Sequence, residues 1–221
     1  MDLMHPSYQL LLCVLLVACA REPVVLSGVT PGAVCATAPD ALVLTGSGMT
    51  PAITNGLGDG AAVYLPEVTL TQGDQTVLLT GDDERLRWSS DREMQVVLSA
   101  GLAAGSWDVA VSRLDGETAS LSAAFDALAA PTISELTPSL CHDRSDAPLQ
   151  LSGAGFAFLG DSAPAVRVGD QVSAHTVTGG GCAVTGGPLS ASVCDTLDAE
   201  VDATGLPLGW VSLSVDNPDP A

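Results

Sequence analysis

Three acidic residues near the C-terminus form the arrangement in this sequence that is best suited to metal chemistry. Asp198, Glu200 and Asp202 stand at every second position, so a strand would place their carboxylates on one face. Calcium prefers such oxygen ligands. The segment lacks the glycine-centred loop of an EF-hand, and a row of like charges is also typical of a solvated strand face. We therefore keep calcium binding as an alternative and assign no metal site.

Motifs of catalytic and cofactor-binding sites are not found in the sequence. The two G-x-G segments, residues 46–48 and 153–155, do not continue into the longer glycine-rich patterns that bind dinucleotides or phosphates, which favours turns. The serine-elbow, zinc-protease and S-x-x-K patterns are absent as well. His142 and His175, the histidines after the first 18 residues, belong to no recognisable triad. We predict a non-enzymatic protein with no catalytic residues and no cofactor.

The N-terminus is typical of an export signal. The apolar run at residues 10–18 is too short to span a bilayer, but it matches the hydrophobic region of a secretory signal. Residues 16–19 resemble the lipobox of bacterial lipoproteins, although the residues before the apolar run contain neither Lys nor Arg. The resemblance implies a signal peptide at residues 1–18, a membrane anchor through lipid on Cys19, and a tether at residues 19–23. Because aspartate does not follow the cysteine, it also implies the outer membrane or cell surface.

Four of the six cysteines remain in the exported part of the chain, where the compartment is oxidising. Cys182 and Cys194 flank a Gly-Gly-Pro turn, so we expect a hairpin disulfide between them. Cys35 and Cys141 then form a second pair or stay free. Neither a C-x-x-C pattern nor a nearby pair of histidines favours zinc.

The charge of the chain excludes one class of partner. Acidic residues outnumber basic ones by 26 to 7, which gives a net charge of −19. A surface this negative is repelled by phosphate backbones and by anionic headgroups. We therefore expect no nucleic-acid partner, and the charge is also typical of a highly soluble surface.

The sequence repeats itself once, and this is its most informative feature. Residues 24–49 match residues 131–156, including a cysteine at the same place and the G-x-G segment near the end of each. Residues 101–111 match residues 205–215, in the same order along the chain. Two consecutive copies of one structural unit explain this pattern.

The repeat predicts two domains, at residues 24–130 and 131–221, joined by a short Ala-Ala-Pro junction. We expect Trp107 and Trp210 to fill equivalent core positions in late strands of the two copies. We also expect the two domains to dock only loosely, because contacts in such tandems are usually modest and polar.

Short Val-, Leu- and Thr-rich runs between glycine and proline turns predict an all-β sandwich in each copy. The alanine-rich segment 119–130 could favour a helix, but the repeat favours a last strand and a linker. The strands predicted in the first copy are residues 24–26, 41–45, 62–65, 68–70, 76–79, 86–88, 94–98, 107–111 and 121–125.

The second copy carries a series of motifs that resemble the IPT/TIG domain, an immunoglobulin-like fold. They are P-x-I-x-x-L-x-P from Pro131, an L-x-L-x-G-x-G-F turn ending at Phe156, a V-x-V-G segment, and a last strand closed by Asn217 and Pro218. The first copy is a diverged version, in which Arg113 stands near the expected asparagine. The resemblance implies two tandem immunoglobulin-like sandwiches, with Phe156 filling the end of the second.

The predicted fold does not by itself define a function. We expect a cell-surface lipoprotein that acts as a structural or adhesive module, with a protein or a glycan as its partner. A carbohydrate- or calcium-binding surface lipoprotein is one alternative. An accessory module of a secreted hydrolytic system is the other.

Overall fold

The computed structural model describes residues 21–54, 60, 62–137, 140, 143–169, 171–172 and 174–219. Every regular element in these residues is a β-strand, so the predicted all-β class is confirmed. None of the described residues forms a helix that is long and apolar enough to span a membrane.

The first half of the chain forms two facing sheets and a separate hairpin. Its strands are β1 (Val25–Thr30), β2 (Ala33–Cys35), β3 (Asp40–Ser47), β4 (Ala52–Thr54), β5 (Ala62–Tyr64), β6 (Glu67–Gln72), β7 (Gln75–Leu79), β8 (Leu86–Ser90), β9 (Glu93–Leu98), β10 (Gly105–Ser112) and β11 (Thr118–Leu128). One sheet has the order β1-β3-β9-β8 and the other β2-β11-β10-β6-β7, while β4 pairs with β5. In the letter code of immunoglobulin domains, the first sheet is A-B-E-D and the second contains G-F-C. The topology is therefore that of an immunoglobulin-like sandwich.

The core of the first half lies between its two sheets because inward-facing residues alternate with outward-facing ones. In β10, Trp107, Val109 and Val111 are buried, whereas Asp108 is exposed. The ring of Trp107 stacks on Phe125 of β11, with the ring centroids 6.3 Å apart. The core position predicted for Trp107 is confirmed.

The second half repeats this arrangement with fewer strands. They are β12 (Thr132–Thr137), β13 (Ala147–Phe158), β14 (Ala165–Val168), β15 (Gln171–Val172), β16 (Ala174–Gly180), β17 (Ala183–Val184), β18 (Ser192–Val201) and β19 (Leu213–Asp216). One sheet has the order β12-β13-β18-β16, with β17 also paired to β18, and the other β15-β14-β19. A second cluster of buried residues includes Leu151, Phe156 and Leu197. The burial implied for Phe156 is confirmed.

The G-x-G segments lie in irregular stretches of strand and not in the predicted tight turns: residues 46–47 end β3, and residues 153–155 lie inside β13, where its pairing with β18 shifts register between Ser152 and Phe156. Gly48 and Gly155 have φ angles of 69° and 78°, where a side chain is disfavoured. Gly46 and Gly153 are required for a different reason, because a Cβ atom on either would overlap the backbone of the preceding strand, at Val25 and at Thr132 respectively. These glycines have structural roles, as the sequence predicts.

Each strand predicted for the first copy overlaps an observed strand. The alanine-rich segment 119–130 lies mostly in β11, so the strand predicted there is confirmed over the helix. Two strands of three residues each, β2 and β4, were not predicted from the sequence.

Trp210 is fully exposed, at 104% of its reference area, so the core position expected for it is wrong. Val215 of β19 pairs with β14 in the same way as Val111 of β10 pairs with β6. Trp107 lies four residues before Val111, and Val211 lies four residues before Val215, so Val211 is the equivalent of Trp107. Val211 is partly buried against the second core. Trp210 stands one residue earlier, and one residue along an extended chain moves a side chain to the opposite face.

Candidate functional site

A buried polar arrangement that joins the two halves of the chain surrounds Asp126, near the end of β11. Its carboxylate is completely buried and accepts hydrogen bonds of 2.6 Å from the hydroxyl groups of both Ser106 and Thr185. The backbone N–H of Gly187 donates a third, at 3.1 Å. Ser106 belongs to the first half, whereas Thr185 and Gly187 belong to the second. Asp126 therefore links the two halves through a desolvated carboxylate whose donors compensate for its burial.

The segment that reaches Asp126 is the end of a disulfide-closed hairpin. β17 pairs with β18, and a disulfide joins Cys182 to Cys194, as predicted from the sequence. The N–H of Thr185 donates to the carbonyl of Ala191 at 2.8 Å, which closes the connection at residues 185–191. We call this connection the clamp loop. The disulfide and the strand pairing fix the two ends from which the clamp loop extends to the first half.

Apolar residues complete the contact between the halves. A small buried cluster draws on both of them and consists of Ala33, Leu128, Ala157 and Ala191. The side chains of Pro188 and Leu189 lie so close to Gly32 that a Cβ atom there would collide with them. The contact buries the carboxylate of Asp126 and leaves no room for a side chain at Gly32. The docking of the two halves is therefore tighter than the loose docking that the sequence predicts.

Arg113 in the first half and Asn217 in the second have equivalent structural roles, since each donates hydrogen bonds to two backbone carbonyls. Arg113 is buried and donates to the carbonyls of Glu22 and Gly48, at 2.8 and 3.0 Å. Asn217 donates to the carbonyls of Ala129 and Gly155, at 3.2 and 2.8 Å. Each side chain thus joins the segment before the first strand of its half to the G-x-G segment. The resemblance implies that Asn217 closes the last strand of the second half. Arg113 has the equivalent role in the first half.

Several large apolar side chains remain in contact with solvent. Leu208 and Trp210 lie on the turn before β19 and are 81% and 104% exposed. On the β4–β5 hairpin, Ile53 and Val63 are paired across the strands and exposed, and Tyr64 is exposed beside them. Single exposed apolar residues are common on protein surfaces, whereas contiguous apolar patches mark binding surfaces.

The acidic residues predicted as calcium candidates do not converge on one point. Asp198 and Glu200 are exposed on β18, and Asp198 accepts a hydrogen bond of 2.8 Å from Gln150. Asp202 lies beyond the end of β18, where it accepts hydrogen bonds from the N–H and the hydroxyl of Thr204, and these lower the pKa of its carboxyl group. In the described residues, no three His, Cys, Asp or Glu side chains come close enough together to hold a metal ion.

Cys35 is a free thiol at the end of β2. Its sulfur lies 3.3 Å from the hydroxyl of Thr37, and this hydrogen bond lowers the pKa of the thiol. Cys141 lies outside the described residues, and of the two alternatives that the sequence leaves open, a second disulfide or a free Cys35, the structure shows Cys35 free.

The other predicted residues lie either outside the described part of the chain or on its surface. Residues 1–18, Cys19 and His142 are outside it. His175 is exposed on β16. The lipid anchor therefore stays a prediction.

Sequence reasoning missed Asp126 and the role of Arg113. The signal for Asp126 was present, since it is a charged residue in an otherwise apolar segment of the last strand of the first copy. A buried carboxylate requires donors, and two of its three come from residues 59 and 61 positions later, which only the docking of the two halves brings near.

Fold and site together define an all-β protein with immunoglobulin-like topology whose two halves are joined by a buried carboxylate. No protein-family model and no curated protein matches the chain. The resemblance to IPT/TIG domains therefore stays a prediction.

Comparison with solved structures gives low similarities. SGBP-B from a complex xyloglucan utilization locus in Bacteroides uniformis is 15% identical over 88% of this chain, with a TM-score of 0.32. The chain spans 46% of that protein. The titin fragment described as Titin-A168169 is 12% identical over 90% of this chain and 97% of its own, with a TM-score of 0.28. The titin domains z1z2 in complex with telethonin are 13% identical over 89% of this chain and 87% of their own, with a TM-score of 0.20. Likenesses this low carry no argument about function.

Proposed function

We propose that this chain is a non-enzymatic lipoprotein of the cell envelope that presents an interaction surface to a protein or glycan partner. Lipid on Cys19 holds it in the outer membrane or at the cell surface. Two immunoglobulin-like units, at residues 24–130 and 131–221, carry the surface outward. The buried Asp126 contact supports this role, because it favours a fixed rather than a free orientation of one unit on the other.

The observation that carries the proposal is the exposure of Leu208 and Trp210. A tryptophan without any covering residue gains nothing from folding, whereas tryptophan is enriched among residues that dominate binding energies. The two side chains lie within three positions of each other on one turn. We therefore place the interaction surface at this turn.

A binding screen on whole cells and on a glycan array tests the proposal. The full chain is compared with a variant that carries Leu208→Ala and Trp210→Ala. We expect binding of the partner to fall about tenfold or more, as for a typical interface hot spot. The matched control is Leu114→Ala, because Leu114 is also exposed, at 56%, but lies in the first half. Unchanged binding by the double variant would contradict the proposal.

A groove on the sheet of the second half favours glycan as the partner. Its volume is about 390 Å³, and its polar lining consists of Thr137, Gln150, Thr176, Thr178, Asp198 and Glu200. Hydroxyl, amide and carboxylate groups are the partners that sugar hydroxyls require. Replacing both Thr176 and Thr178 by valine should weaken binding to a glycan and leave binding to a protein partner unchanged. Equal glycan binding by this variant would argue for a protein partner.

A further inference from the structure

The β4–β5 hairpin of the first half carries apolar side chains on both of its faces. Its strands pair with each other and with no other strand of the described residues. Ile53 and Val63 lie directly opposite each other, and therefore on one face, and they are 59% and 64% exposed. Tyr64 follows Val63 and is exposed on the other face. Because a two-stranded hairpin is at best marginally stable in water, this apolar patch indicates a surface that is covered by something else.

The hairpin is also poor in charge compared with the rest of the chain. From residue 50 to residue 66 the sequence contains one charged residue, Asp59, which lies outside the described residues. Charged residues make up 15% of the whole chain, and most of them are acidic. An apolar surface with so little charge fits the boundary between the headgroups and the hydrocarbon of a lipid bilayer.

The base of the hairpin is attached to a residue close to the proposed lipid anchor. The guanidinium of Arg21 donates a hydrogen bond of 3.3 Å to the carbonyl of Pro51, which directly precedes β4. Cys19 stands two residues before Arg21, and two extended residues span at most about 7 Å. Lipid on Cys19 would therefore keep the base of the hairpin within reach of the membrane surface.

The second half is attached at the other end of β10. Arg113, directly after β10, donates to the carbonyl of Gly48, three residues before Pro51, at 3.0 Å. The clamp loop instead contacts the beginning of β10, where the N–H of Gly186 donates to the hydroxyl of Ser106 at 3.0 Å. The eight residues of β10 span about 25 Å when extended. A first half whose hairpin touched a membrane would therefore hold the clamp loop away from it.

A second aromatic side chain lies near the base of the hairpin. The indole N–H of Trp88 in β8 donates to the carbonyl of Met49 at 2.7 Å, and the side chain is 39% exposed. Tryptophan and tyrosine are enriched where a protein crosses the boundary between water and lipid, because their rings are amphipathic. Trp88 and Tyr64 are therefore suited to the same boundary.

We propose that the β4–β5 hairpin rests on the headgroup region of a zwitterionic lipid bilayer, with Ile53, Val63 and Tyr64 in contact with lipid. The inference rests on the proposed lipid anchor and adds a second membrane contact to it. The lipid is zwitterionic because the acidic chain is repelled by anionic headgroups. A contact of three side chains is weak by itself, but an anchor at Cys19 gives the hairpin a high effective concentration of lipid.

Amide hydrogen exchange on membrane-bound protein tests the contact. Residues 19–221 are coupled through Cys19 to a maleimide lipid in vesicles of phosphatidylcholine and phosphatidylethanolamine, so the anchor does not depend on natural lipidation. Serine replaces Cys35 and Cys141, which would otherwise compete for coupling. We expect exchange at residues 52–54 and 62–64 to slow about tenfold or more relative to protein coupled to a soluble maleimide. Exchange at the edge strand β7 should not change.

Matched variants make the test specific. Replacing Ile53 and Val63 by serine should abolish the protection, whereas Leu78→Ser should not, since Leu78 is equally exposed but lies on β7. Exchange of the unbound double variant, compared with unbound wild type, reports whether the hairpin still forms. Tyr64→Ser leaves the Ile53–Val63 pair in place and should reduce the protection severalfold, which keeps the test decisive if the double variant loses the hairpin.

Three outcomes would overturn the inference. One is equal exchange of the hairpin with and without vesicles, and another is equal protection of the hairpin and β7. The third is protection of the hairpin that rises with the concentration of unbound protein, which would show that a second copy covers it. The proposed anchor fails separately, if fatty-acid labelling of cells does not depend on Cys19, because the coupled protein carries its lipid in either case.

Discussion

Asp126 accepts a hydrogen bond of 2.6 Å from the hydroxyl of Thr185, although the two residues are 59 positions apart and belong to different halves of the chain. The second oxygen of the carboxylate is bound by Ser106 of the first half, at 2.6 Å. The carboxylate is thus held from both sides. Removing it leaves donors from both halves without an acceptor.

Asp126→Ala should therefore separate the unfolding of the two halves. The buried N–H of Gly187 and two hydroxyl groups lose their acceptor, at a cost of about 1–3 kcal/mol. Calorimetry on the full chain should show a lower first transition and a larger interval between transitions. Asp161→Ala, which removes an exposed carboxylate, is the control. Identical traces for Asp126→Ala and wild type would mean that the contact contributes no coupling.

Loss of the disulfide should act on the same contact from its other side. Replacing Cys182 and Cys194 by serine frees the ends of the clamp loop and should destabilise the second half by about 3 kcal/mol. Peptide mapping without reductant should first find the two cysteines linked. Cys35→Ser removes a free thiol and should leave stability nearly unchanged. Two free thiols at Cys182 and Cys194 in protein from the envelope would refute the pairing.

The sequence predicts those parts of the molecule that depend on local pattern. The strands follow from alternation, as in β10, and the Cys182–Cys194 disulfide follows from a turn between nearby cysteines. The environment of Asp126 could not be predicted, because it depends on how two folded halves meet. The buried position expected for Trp210 failed for a different reason: the repeat matches Trp107 with Val211, and Trp210 stands one residue earlier, where a period of two exchanges inside and outside.

Substitution by alanine should consequently lower stability far more at Trp107 than at Trp210. Trp107→Ala leaves a cavity beside Phe125 and should cost about 3–5 kcal/mol. Trp210→Ala removes a side chain without buried contacts and should change stability by less than about 0.5 kcal/mol. Chemical denaturation of the two variants measures both values. A large loss for Trp210→Ala would show that this side chain is covered in solution.

Asp115 should make the first half sensitive to acid. The Arg113 guanidinium donates a hydrogen bond to it and holds the pKa of its carboxyl group below the usual value. A depressed pKa in the folded state stabilises the protein above the unfolded pKa of about 4, and this contribution is lost as the pH falls through the folded value. Melting temperatures measured from neutral pH down to about 2 should therefore fall less steeply for Asp115→Asn than for wild type. Parallel curves would show that the interaction adds nothing to stability.

Lipidation of Cys19 should place the first half close to the membrane. Cys19 stands two residues before Arg21, and two extended residues span at most about 7 Å. Arg21 is already attached to the first half, since its side chain pairs with Asp115 at 3.2 Å and the next carbonyl, that of Glu22, accepts a hydrogen bond from Arg113. Labelling cells with a fatty-acid analogue should mark the wild-type chain and Cys35→Ala, but not Cys19→Ala. Equal labelling of Cys19→Ala would exclude the anchor, and release of the wild-type chain from membranes by high salt alone would do the same.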